Sequence, residues 1–143
     1  MLPPVRDELS VYFENPATDP MGYNHVEGRL FCGRDRVEIQ YKQRDRAFRK
    51  NETTCLAFDY GEVARVEFVR RLFGPDTLVF QSRVAERLDE FPGSDVGSVA
   101  LRVLPSSRKE AKRAASFIEY RQSEALLLET ERRLGRGDDG DSL

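Results

Sequence analysis

From His25 to Val103 apolar and polar residues alternate with a period of two, and after Pro105 the period becomes that of a helix. In "HVEGRLFC" the residues Val26, Gly28, Leu30 and Cys32 share a face. Gly33 to Asp35 makes a tight turn, and "RVEIQYK" sets Val37, Ile39 and Tyr41 opposite Glu38, Gln40 and Lys42, which predicts a hairpin with one wet face. After a polar loop, "TTCLAFDY" places Leu56 and Phe58 inward, and "GEVARVEFVRR" continues with Ala64, Val66 and Phe68 as a second hairpin. Gly74 and Pro75 mark the next turn, ahead of Leu78 and Phe80 in "DTLVFQSR". A long connection, 84–97, holds a single helical turn around Leu88, and "SVALRVL" offers Val99, Leu101 and Val103. Six short strands joined by turns, without helical crossovers, predict an antiparallel, mainly β domain; either the 84–97 connection hides a seventh strand or the fold is a six-stranded variant.

The helical stretch "PSSRKEAKRAASFIEYRQSEALLLETERRLG" has Pro105 ahead of it, Ser107 as N-cap with Glu110 three residues on, and Gly135 as its stop. A helix over 107–134 would be about 40 Å long, more than is needed to cap a small barrel. Ala111, Ala114, Ala115, Ile118 and Ala125 cluster on one side, with Phe117 and Leu128 at its margin. Tyr120, Leu127 and Leu134 recur at sevenfold spacing on nearly the opposite side. Leaving such side chains in water forgoes ~1.5 to 3 kcal/mol each. They are therefore the candidate partner-binding residues, for a second copy of the chain or another protein. Two other accounts compete: the N-terminal patch Val11, Tyr12 and Phe13 folds back over them, or they are ordinary surface leucines.

The proline-containing residues 1–24 read as an N-terminal arm that is disordered, or that pairs along the sheet edge through Val11 to Phe13. Residues 25–134 form the domain, and 135–143, "GRGDDGDSL", form a mobile acidic tail. A chain of 143 residues with a net charge of -2 fits one domain and lacks the global positive charge of a nucleic-acid binder. No apolar run approaches the ~20 residues of a bilayer span, and "MLPPVRDELS" lacks a secretion signal's apolar core, so a cytoplasmic protein is expected. Cys32 and Cys55, without a CxxC or a nearby His, read as buried free thiols.

Catalysis needs convergent groups of tuned proton affinity. The chain offers a single His25, ahead of the first strand and better read as a turn or arm residue, and no nucleophile, phosphate-loop or metal-binding motif. No enzyme, cofactor or metal is expected. Asp89 with Glu90 and Asp138 with Asp139 read as solvated charges. The loop "KQRDRAFRK" carries Lys42, Arg44, Arg46, Arg49 and Lys50 against Asp45, a local charge of +4, with Phe48 in its middle. That composition suits an anionic membrane surface, at ~1 kcal/mol per basic residue. It equally suits a solvated loop whose cations keep the sheet edge from aggregating. Edge addition of a peptide is physically ordinary for such a sheet but has no signature here.

The order of elements resembles a pleckstrin-homology-like domain of the bacterial and GRAM-related type. The likeness is carried by Gly28 and Leu30 of "GRL", by Tyr60, Val63 and Val66 in "FDYGEVARVE", and by "VALRVLPSSRKEAKRAASFI", over about residues 26–120. It implies a strongly bent, seven-stranded antiparallel sheet, or partly open barrel, capped by the C-terminal helix. A helix Trp of eukaryotic members is replaced here by Phe117 and Ile118. The family's lipid-binding basic pattern is only loosely matched by Arg29, Arg34 and Arg36, where the turn is too tight to cradle a headgroup.

Overall fold

The computed structural model describes residues 8–16, 25–43 and 53–141, with 136–141 as helix backbone only. Its elements are β1 (Leu9–Asn15), β2 (Val26–Cys32), β3 (Arg36–Gln43), β4 (Thr54–Asp59), β5 (Val63–Val69), β6 (Thr77–Ser82), β7 (Ser98–Arg102) and α1 (Arg108–Asp141). Sheet order is β1-β2-β3-β4 and β5-β6-β7, and every pairing is antiparallel. The fold is mainly β with one C-terminal helix, as the alternation predicts.

The inward parity is also as predicted. Val26, Leu30, Cys32, Val37, Ile39, Phe58, Leu78, Phe80, Val99 and Leu101 are buried, and the rings of Phe58 and Phe80, 5.0 Å apart, join the two sheets. Leu88 is buried in a 3-10 turn, Ala85–Leu88, within the long connection.

Three expectations about the strands are corrected. The seventh strand is β1: of the two readings of residues 1–24, pairing along the sheet edge through Val11 to Phe13 is the one that holds, and the 84–97 connection contains no strand. Val11 and Phe13 are core residues, and β1 meets β7 through a Phe13 to Val103 bridge. Asn15 extends that seam: its side-chain amide donates to Ala100 O at 2.9 Å and accepts from Arg102 N at 2.8 Å, replacing a pair of strand hydrogen bonds. The domain therefore begins at β1, not at residue 25.

Secondly, β4 and β5 do not form a hairpin. β4 completes the first sheet, and a 3-10 turn, Tyr60–Glu62, carries the chain to the second. The buried Tyr60 hydroxyl donates to Gly33 O at 2.5 Å, which pins this corner to the β2–β3 turn. The Asp59 N–H, donated to Glu62 at 3.1 Å, and the Arg87 guanidinium hold the Glu62 carboxyl below the usual range. A register shift between Val63 and Arg65 buries Val63 as well as turning Val66 and Phe68 toward the core.

Thirdly, Cys55 is exposed, because period two puts it on the wet face beside the buried Phe58 row, whereas Cys32 is buried. Burial pushes the Cys32 thiol up to about 12. A thiol reagent at about pH 8 should therefore label one cysteine in the folded protein, Cys55, and reach Cys32 only in denaturant. Cys55 should react more slowly than free cysteine, since partial burial and the Glu38 charge raise its thiol too.

The β6–β7 connection folds over the core. Phe91 is buried with its ring centroid 4.8 Å from Tyr41 and 6.1 Å from Phe13. It ends in a turn closed by Asp95 and Ser98, which exchange backbone hydrogen bonds of 2.8 and 3.0 Å around Val96 and Gly97. Val96 has φ 45° and is 83% exposed, so a β-branched residue is strained there without compensating burial. Val96→Asn should raise the unfolding free energy by about 1 kcal/mol in urea titrations, since Asn tolerates the left-handed conformation.

The entry to α1 also differs from expectation. Ser107 lies in a 3-10 turn, Pro105–Ser107, and its hydroxyl accepts the Tyr12 N–H at 3.0 Å rather than capping the helix with Glu110. Glu110 Oε2 is buried without a hydrogen-bond partner among the described residues. The helix does not stop at Gly135, and runs on to Asp141 through what reads as a tail.

Candidate functional site on the C-terminal helix

The first half of α1 is held by its own domain. Ala111, Ala114 and Ile118 are fully buried, and Ala115 and Phe117 pack at the margin of the core, with Phe117 edge-on to Tyr60 at 6.1 Å. Gln122 donates to Ala64 O at 2.9 Å and to Val63 O, which ties the helix to β5. Ala125 lies opposite Gly61, where a Cβ would be 4.0 Å from its own.

Beyond Ala125 the support ends. Every residue from Leu126 to Gly135 is exposed, and the helix from Leu126 to Asp141 adds about 24 Å of rod. Tyr120, Leu127 and Leu134 are 62%, 63% and 64% exposed, as their sevenfold spacing predicts. Nothing in β1 reaches over them, since Val11 and Phe13 face the core. Leu128, expected at the edge of the buried stripe, is exposed, because the domain surface gives out one turn earlier. Leu126 is a further exposed leucine, outside that sevenfold face. The signal lay in the run Leu126, Leu127 and Leu128, since three successive helical residues span about 200° and cannot share one buried stripe.

Charges border this apolar surface. Glu124, Leu127, Leu128 and Glu131 line a shallow groove along the rod, and Arg133 pairs with Glu129 at 2.9 Å. Arg121 reaches Glu124 at 3.3 Å. A hydrogen bond to the Glu124 carboxylate, together with its charge, holds the Tyr120 hydroxyl above its ordinary range.

The other predicted surface is the basic loop 42–50. Arg44, Arg46, Phe48, Arg49 and Lys50 lie outside the described residues, and Lys42 is exposed at the end of β3. Arg29 is engaged by Gln40 at 2.8 Å, and Arg36 by Glu38 at 3.1 Å. No helix among the described residues is long and apolar enough to cross a membrane.

The β1–β2 pairing assembles a cluster that spacing alone did not suggest. Glu14 and Glu27 are directly opposed across the strands, and His25 Nε2 lies 3.2 Å from Glu14 Oε1. One donor atom of each residue lies within 4.8 Å of the others, a spacing able to hold a metal ion. The cluster depends on the β1–β2 register, which local spacing does not report. Set against known proteins, the chain matches no family model, no curated protein and no solved structure.

Proposed function

We propose that the chain is a non-catalytic, pleckstrin-homology-like assembly module whose extended C-terminal helix pairs with the same helix of a second copy. The observation that carries this reading is the unbroken exposure from Leu126 to Gly135 on a helix that has left its own domain. An unsupported helical segment of this length is marginal in water, and Gly135 and Gly137 each weaken it by about 1 kcal/mol. Packing against another helix supplies the missing stabilisation.

A second copy offers the same apolar side at the same spacing: in an antiparallel crossing Leu127 of each helix lies over Leu134 of the other, so the apolar surface matches itself.

Light scattering tests the reading. The parent protein should have the mass of a dimer, and Leu127→Glu with Leu134→Glu should reduce it to a monomer with unchanged circular dichroism from the sheets. Each copy would otherwise have to place two carboxylates in a desolvated interface. A monomeric parent at micromolar concentration, or a dimer that survives both substitutions, would overturn the proposal.

A further inference from the structure

We propose that the tip of the β5–β6 hairpin inserts into an anionic lipid bilayer, with Leu72 and Phe73 entering the acyl region and Arg70 and Arg71 meeting lipid phosphates. This inference does not depend on the helix pairing. Leu72 is 97% exposed and Phe73 93%, the two highest values among the exposed large apolar residues, and they are adjacent in the chain. They occupy the bend before Gly74, whose φ of 109° turns the backbone back toward β6.

The cations sit where a bilayer requires them. Arg70 and Arg71 immediately precede the apolar pair and are both exposed. Asp76, the acidic residue of the same connection, is already paired with Arg108 at 3.0 Å, so the tip presents positive charge around an apolar point. At its foot Arg71 and Arg102 line one cleft with Asn15 and Pro75, so a further cation borders the tip.

Shape favours a bilayer over a protein partner. A projecting bend offers neither a groove nor a flat rim for a rigid surface to match, whereas lipid yields around two side chains and closes on the flanking cations.

Vesicle sedimentation of the full chain tests the proposal, using phosphatidylcholine alone and phosphatidylcholine with about one third phosphatidylserine. The parent should bind the anionic vesicles and not the neutral ones, and Leu72→Asp with Phe73→Asp should weaken binding by about tenfold or more. The chain contains no Trp, so Phe73→Trp creates a single fluorophore, and its emission should shift to the blue on anionic vesicles. A parent that ignores anionic vesicles, a tip variant that binds them as well as the parent, or an unshifted Trp spectrum would each overturn it. So would loss of binding only when the basic residues of 42–50 are replaced by Gln. A tip variant that changes the oligomeric mass while leaving vesicle binding intact would reassign Leu72 and Phe73 to a protein contact.

Discussion

Phe13→Ala is expected to lower the unfolding free energy by about 3–5 kcal/mol, the usual cost of emptying a buried aromatic site. Phe13 is 1% exposed, stands against Phe91 across 6.1 Å, and forms the bridge from β1 to Val103 that brings the two sheets together. Its removal opens a cavity at the junction of three elements, where β2 on one side and β7 on the other limit relaxation. The neighbouring Tyr12, on the opposite face of the strand and 49% exposed, is the internal control: Tyr12→Ala should cost less than about 1 kcal/mol. Urea denaturation of both variants distinguishes a core strand from an arm laid on the surface. Equal small losses would mean that β1 is dispensable. By the same argument, a chain beginning after Asn15 should fail to fold cooperatively.

Gly28→Ala is expected to be nearly as damaging although it adds one methyl group. A Cβ there would lie 2.0 Å from Gln40 O and 2.7 Å from Tyr41 Cα, both backbone atoms of β3. No side-chain rotation relieves such a contact, so β2 and β3 would have to separate and give up ladder hydrogen bonds. The cost should reach about 3 kcal/mol, the upper end of the ordinary range for overpacking. Gly28 also lies opposite Phe13 on one strand and Tyr41 on the other, and Phe91 packs on both of those rings. The missing side chain thus serves both the close strand approach and the aromatic cluster beside it. A Gly28→Ala variant melting within about 2 °C of the parent would contradict this geometry.

Spacing alone gives the exposed face of the helix. Tyr120, Leu127 and Leu134 are surplus to the domain because a helix has one buried side, and Ala111, Ala114 and Ile118 already occupy it. The helix passes Gly135 for an energetic reason. One glycine costs a helix about 1 kcal/mol, a penalty that Gly135 imposes without breaking the backbone hydrogen-bond ladder. Ser107 does not serve as the predicted cap because its hydroxyl accepts the Tyr12 N–H of β1, a donor 95 residues away that local spacing does not report.

Sequence by itself determined the inward and outward rows of β2, β3, β6 and β7, the change from strand to helix after Pro105, and the unused apolar face of α1, because these follow from local periodicity. Tertiary structure decided that Leu9–Asn15 is a strand of the core, that β4 and β5 part into different sheets, that Phe91 fills the space between Phe13 and Tyr41, and that Glu14, His25 and Glu27 meet. The physical reason is that periodicity reports which side of an element a residue faces. Which element it faces is set by backbone hydrogen bonds and packing between residues far apart in the chain.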